Sequence, residues 1–259
     1  MSQDQKITTE RRGHLLVIGF NRANKMNAFD SEMLMMLGDA LAQLENDPEL
    51  RCGVIYAEGD HFTAGLDLAD IAPKMSDGSL DLRAAAIDPW GVHGKKRTKP
   101  TVVAVQGRCL TLGIELCLAQ DVCIAASNAR FAQIEIKRGI FPFGGATFRL
   151  VQTAGWGNAM RWLLTGDEFD AAEALRIGLV QEVVEPGQEL QRAIAIAETI
   201  AAQAPLGVQA TIASARRAVE QEEAAKALLP EIMRLMASDD AREGLMSFLE
   251  RREAKFTGN

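Results

Sequence analysis

TVVAVQGRCLTLGIELCLAQDVCIAASNARFAQIEIKRGIFPFGG, residues 101–145, is the stretch around which the rest of the chain is arranged. Its first five residues form a short, unbroken apolar run rich in β-branched side chains, the pattern of a strand buried on both faces. Gln106-Gly107 interrupts the run. Leu110-Thr111-Leu112-Gly113 then leads into a predicted helix over residues 114–119, and residues 122–126 read as a second buried strand. Glu115 falls in the first turn of that helix, and Glu135 follows in the apolar segment 130–136. Two carboxylates among apolar residues, one beside a helix start, form a candidate acid–base pair.

The alternation of strand, turn and helix extends in both directions. Residues 14–20 make a compact apolar strand. Asp30 is a good N-cap for a helix over 31–46, whose Leu34, Leu37, Leu41 and Leu44 recur at three- and four-residue steps. Residues 52–57 read as the next strand. Between 71 and 99 the pattern becomes irregular, with Pro73, Gly78, Pro89, Gly91 and Gly94 and a scattered Met75, Leu80 and Trp90, the composition of a lid or pocket wall. Beyond Gly145, helices are expected over 146–154 and 158–164. A short helix runs from an Asp170 cap to a Gly178 stop, and a strand covers 179–184. From 187 onward no strand pattern remains, and helices are expected over 190–203, 206–220, 229–237 and 239–250. The chain therefore reads as a layered α/β fold with an all-helical region beginning near residue 200.

Composition narrows the function. The 259 residues carry a formal charge of -7 and few aromatics, so neither a phosphate-binding face nor a base-stacking platform for nucleic acid is supported. Cys52, Cys109, Cys117 and Cys123 lack paired metal-site spacing and suit a reduced compartment. The opening MSQDQKITTERRGH resembles neither a secretory signal nor a transit peptide, and no apolar run could span a bilayer. A cytoplasmic protein is expected. His14, His61 and His93 fall into no triad or metal spacing, and no dinucleotide fingerprint or phosphate loop is present.

Each motif also has an ordinary structural reading. A glutamate in a helix's first turn is favoured by the helix dipole alone, and Glu135 could sit on an edge strand. Lys95-Lys96-Arg97 could be a solvated charge run or a contact for ligand phosphates. In 61–68, HFTAGLDL, the small Thr63, Ala64 and Gly65 let backbone approach a ligand. If Gly65-Leu66 opens a helix, the Leu66 N–H is an unpaired donor, and the Leu112 N–H is a second. Two such donors converging would make an oxyanion hole.

Taken together and in order, Asn21-Arg22 to Phe29, Phe62 to Leu68, Val105 to Leu116 with Asp121, Arg130 to Glu135 and Gly139 to Leu150 resemble the crotonase (enoyl-CoA hydratase/isomerase) superfamily across nearly the whole chain. The resemblance implies a spiral of ββα units over residues 1–199 and a C-terminal helical trimerisation region over 200–259, with assembly as a homotrimer or dimer of trimers. It implies a coenzyme A thioester substrate and no separate cofactor or metal, while the charge and the lack of a long apolar run argue against a nucleic-acid or membrane partner. By position it makes Leu66 and Leu112 the oxyanion donors and Glu115 and Glu135 the catalytic pair. Glu115 would activate water and Glu135 would protonate the α-carbon. Lys25, Thr63, Ala64, Gly65 and Asp67 match positions that contact the CoA moiety, although the lysine often found after the Asp67 position is absent. Thr111 and Phe143 depart from the glycine-rich family pattern; Thr111 is expected to shape the acyl pocket, and Phe141 and Phe143 either to wall it or to pack in the core. Phe256 would reach a neighbouring protomer. The expected reaction is hydration of a 2-enoyl-CoA. The alternatives are an isomerase moving a 3-enoyl double bond to the 2 position, and a non-catalytic CoA-thioester or RNA binder.

Overall fold

The computed structural model describes residues 5–217 and 222–255; Phe256 lies outside them. The strands and helices run β1 (Ile7–Arg12), β2 (Leu15–Phe20), α1 (Ser31–Asn46), β3 (Cys52–Ala57), α2 (Leu68–Ser76), β4 (Thr101–Val105), β5 (Arg108–Leu110), α3 (Leu112–Ala119), β6 (Val122–Ala126) and β7 (Arg130–Ala132). They continue as α4 (Ala146–Ala154), α5 (Trp156–Thr165), β8 (Phe169–Asp170), α6 (Ala171–Arg176), β9 (Glu182–Val184), α7 (Glu189–Ala201), α8 (Pro205–Arg217), α9 (Glu222–Met236) and α10 (Asp239–Leu249). Short 3₁₀ helices occupy Ala23–Lys25 and Ile134–Arg138.

One six-stranded sheet has the order β1-β2-β3-β4-β6-β9 and is parallel except for the β1–β2 hairpin. A smaller sheet has the order β5-β7-β8. The chain passes from a strand of the large sheet to one of the small sheet and then to a helix. It does so at β4-β5-α3 and again, through β6 and β7, ahead of α4. The segment after β3 follows the same path, because Thr63 bridges in parallel to Cys109 of β5 before α2 begins. This is a spiral of ββα turns.

Side-chain alternation in the parallel strands divides the interior in two. Leu16, Ile18, Ile55, Val103, Val105 and Cys123 face the larger core, with α1 and α3. Leu15, Val17, Cys52, Val54, Val102, Ala104 and Ile124 face the other side, where α7 covers them with Ala193, Ala197 and Ala201. Three alanines at four-residue spacing give α7 a flat face, so the helix lies close to the sheet. Strands buried on both faces are why residues 101–105 and 122–126 carry no polar alternation.

The structure differs from sequence expectation at several elements. β1, with the polar sequence ITTERR, is an edge strand exposed along most of its length, and such strands lack an apolar run to announce them. The irregular region contains part of α2, which accommodates Pro73 inside a helix that starts after Asp67. Helix α9 begins at Glu222, before the expected residue 229.

Lys95-Lys96-Arg97 divides as well. Arg97 is 4% exposed and is fully engaged: its guanidinium donates to Asp121 Oδ2 at 2.7 Å, Gln120 Oε1 at 3.0 Å, and the carbonyls of Lys99 and Ala119. Asp121 in turn accepts from the Thr101 N–H at 2.8 Å, locking the start of β4 to the end of α3. Arg97 is therefore a structural cation and not a phosphate contact. Replacing it by Ala strands several buried acceptors and should lower folding stability by about 3 kcal/mol. Urea denaturation will check this, with the midpoint expected to fall at unchanged slope.

Candidate active site

Leu112 begins α3, so its N–H has no acceptor within the helix. The preceding Thr111 has φ +50° and ψ -117°, a conformation that favours glycine and costs a β-branched residue about 1–3 kcal/mol. Its Oγ1 is buried and, among the described residues, without a hydrogen-bond partner. The strain turns the chain sharply from β5 into α3.

Leu66 does not open a helix, contrary to expectation; α2 starts at Leu68. Instead Leu66 sits in an isolated parallel bridge with Phe29. The Phe29 N–H donates to Gly65 O and the Asp67 N–H donates to Phe29 O, each at 2.8 Å. That pairing uses the groups flanking Leu66 and leaves its own N–H directed to the opposite side. Gly65 is required here: its φ is +99° and an added Cβ would collide with Thr111 Oγ1. The two candidate donor segments thus touch one another at Gly65 and Thr111.

Glu115 is 2% exposed, one turn into α3. Its Oε1 accepts from the N–H groups of Gly144 at 2.7 Å and Ala146 at 3.1 Å, so this carboxylate caps the start of α4. A Cβ on Gly144 would lie 2.6 Å from Glu115 Oε2, which explains the glycine there. Burial raises the Glu115 carboxyl to about 7, and the amides of Ala146 and Gly144 and the charge of Arg149 oppose that rise. Glu135, 7% exposed, lies in the 3₁₀ helix Ile134–Arg138 and not on an edge strand. Burial, and next the negative charge of Glu115, hold its carboxyl well above the usual range. Gln133 is satisfied when its amide nitrogen donates to Thr111 O at 3.1 Å and to both Glu135 oxygens at 3.1 and 3.2 Å.

Leu66, Leu112, Glu115 and Glu135 line one cavity, together with Ala64, Thr111 and Phe143. Its remaining wall is largely aliphatic and aromatic, including Leu34, Met35, Leu80, Leu82, Trp90 and Phe248. Other sequence candidates lie elsewhere. Phe141 packs against the larger core and is not part of the cavity lining. Thr63 is buried, donating to Asn27 O at 2.7 Å and accepting from the Gly65 N–H, so its hydroxyl shapes the loop. Asp67 is paired with Arg22 at 2.9 Å, and the exposed Lys25 lies outside the cavity lining. Lys95 and Lys96 are exposed. Gln133 and Arg149 escaped the sequence reading, since a polar contact made across the fold carries no periodic signal, whereas Leu80 and Trp90 lie in the stretch read as a pocket wall and do line the cavity. All four cysteines are buried and unbridged, and among the described residues no cluster of His, Cys, Asp and Glu could hold a metal ion. No helix among them is long and apolar enough to cross a membrane.

The family model for enoyl-CoA hydratase/isomerase matches residues 10–259. The chain is 36% identical over 254 residues to the enoyl-CoA hydratase EchA19 of Mycobacterium tuberculosis, covering 95% of this chain and 94% of that one. It is 34% identical to the crotonyl-CoA hydratase of Syntrophomonas wolfei, covering 97% and 98%. Among solved structures, a probable enoyl-CoA hydratase/isomerase from Mycobacterium abscessus superposes with a TM-score of 0.81 at 53% identity, over 98% of this chain and 99% of that one.

Both buried acids favour their protonated forms in the fold. For Glu115 the associated stability is present below its ordinary value of 4.5 and is lost as pH rises through about 7. Infrared difference spectra should show a buried carboxyl stretch disappearing with a midpoint near pH 7 and absent in Glu115→Gln. A second carboxyl, absent in Glu135→Gln, should persist to higher pH.

Proposed function

Because the chain belongs to the enoyl-CoA hydratase/isomerase family, we propose that it is an enoyl-CoA hydratase, adding water across the double bond of a 2-enoyl-CoA to give the 3-hydroxyacyl-CoA. The observation that carries this reading is the lining of a single apolar cavity by two buried carboxylates and by Leu66 and Leu112, whose N–H groups have no acceptor among the described residues.

The thioester oxygen takes the Leu66 and Leu112 N–H groups. As water attacks C3, electron density moves through C2 to that oxygen, and two fixed donors in a dry site stabilise the charge where it develops. Glu115 suits the base: three amides at the α4 start and the Arg149 charge favour its ionised form against burial. It holds water and takes a proton as the C3–O bond forms. Glu135 suits the acid, since burial and the Glu115 charge keep it protonated, and it gives its proton to C2. The pair titrates as a unit carrying one proton at the start. Afterwards Glu115 holds the proton and Glu135 has lost one, and exchange with solvent restores the pair.

An isomerase would shuttle one proton with one carboxylate and use no water. Two buried carboxyls, both raised by burial but with amides and Arg149 opposing the rise at Glu115 and the charge of Glu115 adding to it at Glu135, support hydration instead. The aliphatic wall fits an apolar acyl chain, with Phe143, Thr111 and Leu112 at its reactive end. Coenzyme A enters as part of the substrate, and the acid–base chemistry needs no resident cofactor. Ala64 and Gly65 lie along the backbone that would face the pantetheine, and Lys25, Lys95 and Lys96 are the exposed cations offered for its phosphates. The C-terminal helices, α8 to α10, are assigned to trimer formation, and the protein to the cytoplasm.

Glu135→Gln should lower kcat for hydration of crotonyl-CoA by about 100-fold or more, with KM changed far less. Loss of the conjugated thioester absorbance measures this directly. Following the rise of that absorbance with 3-enoyl-CoA, in the wild type and in Glu115→Gln, separates the readings, since an isomerase would turn over at a rate the variant keeps and a hydratase would show none.

A further inference from the structure

Trp90 stands in the loop that sequence reading left as irregular, and it touches the segment that carries one proposed oxyanion donor and the residue that bridges to the other. Its indole Nε1 donates to Leu112 O at 3.0 Å. That carbonyl belongs to the residue whose own N–H faces the cavity, so the bond fixes the rotation of the first turn of α3. The other face of the same side chain meets Phe29, with ring centroids 6.0 Å apart and planes at 79°. Phe29 is the residue whose N–H and C=O clasp Gly65 and Asp67 on either side of Leu66. One indole therefore connects the Leu112 segment to the bridge that aims Leu66.

The loop holding Trp90 is itself fixed. Asp88 accepts from the N–H groups of Trp90 at 2.9 Å, Val92 at 2.8 Å, His93 at 2.6 Å and Gly94 at 3.0 Å, closing residues 88–94 around one carboxylate. Gln120 Nε2 donates to Pro89 O at 3.0 Å, tying the loop to the far end of α3. His93 Nε2 lies 3.2 Å from Phe143 O, beside the Gly144 amide that binds Glu115. A buried indole N–H needs only some acceptor. Here the acceptor chosen, the ring contact and the Asp88-centred loop all converge on the reacting end of the cavity, which Trp90 also lines.

We propose that Trp90 is the positioning residue of the oxyanion hole, holding the Leu66 and Leu112 N–H groups at the separation that the thioester oxygen requires. This rests on the hydratase reading, because only a thioester in the cavity gives those two donors a common acceptor. A displacement of a fraction of an ångström at such donors is felt in the transition state more than in ground-state binding.

The test uses the full-length protein with two readouts. Trp90→Phe keeps a ring against Phe29 and removes only the N–H; Phe29→Leu keeps the N–H and removes the ring contact. For crotonyl-CoA, each variant should lose about 10- to 100-fold in kcat with KM within about twofold. The second readout is the absorbance red-shift of bound 4-dimethylaminocinnamoyl-CoA, which reports polarisation of the thioester carbonyl independently of turnover. It should shrink in both variants while the thioester still binds and both unfold cooperatively. Wild-type shift and kcat in a folded Trp90→Phe would overturn the proposal with the hydratase reading intact. A wild-type protein that neither hydrates crotonyl-CoA nor shifts the chromophore would overturn both. Should Trp90→Phe fail to fold, Phe29→Leu alone decides, and a normal shift in it overturns the proposal.

Discussion

Two carboxyl groups are buried together in an apolar cavity, and this electrostatic cost shapes everything around them. An isolated buried carboxylate is expensive, and two close together cannot both remain ionised. The fold resolves the conflict asymmetrically. Glu115 receives the free amides at the start of α4 and the field of Arg149, whereas Glu135 receives burial and the repulsion of its neighbour. The two groups thereby sit in unlike electrostatic surroundings, although they are the same residue type. The surrounding elements serve that asymmetry: Gly144 lets the turn approach Glu115, and α4 begins where its amides are useful.

The backbone bears a comparable burden at the donor segments. Thr111 occupies a left-handed conformation and a Gly65 side chain would strike it, so the two segments approach as closely as their atoms allow. Strain of this kind persists only where the surroundings over-determine it. Here β5 is held by Thr63 on one side and β7 on the other, and Trp90 grips the first turn of α3. The unpartnered Thr111 hydroxyl is part of the same compromise, a polar group accommodated so that the turn into α3 can be sharp. The C-terminal region joins the site through α10, which packs on the Glu135-bearing 3₁₀ helix where Gly139 and Gly244 allow backbone contact. Phe248 of α10 lines the cavity and lies under the Arg138 guanidinium, 5.0 Å from it.

By itself the sequence determined the strands and helices whose periodicity reflects burial: the apolar runs of β2, β3, β4 and β6, the leucine face of α1, and caps such as Asp30 and Asp170, whose side chains accept from Met33 and Glu173. It also placed Glu115, Glu135, Leu66 and Leu112 on a single ordered set of signatures. Those features are local, or repeat along the chain, and so survive in one dimension. What only the tertiary structure decided depends on atoms distant in sequence. It put Leu66 in a bridge with Phe29 and not at a helix start, and it put Glu135 in a 3₁₀ helix, excluding the edge-strand alternative. It gave Arg97 to Asp121 and Phe141 to the core. It gave Glu115 and Glu135 unlike surroundings, and brought Gln133 to Glu135 and Trp90 to Leu112. None of these leaves a periodic trace, because a hydrogen bond or a charge shift is set by which groups meet in space, and that meeting exists only once the spiral has closed.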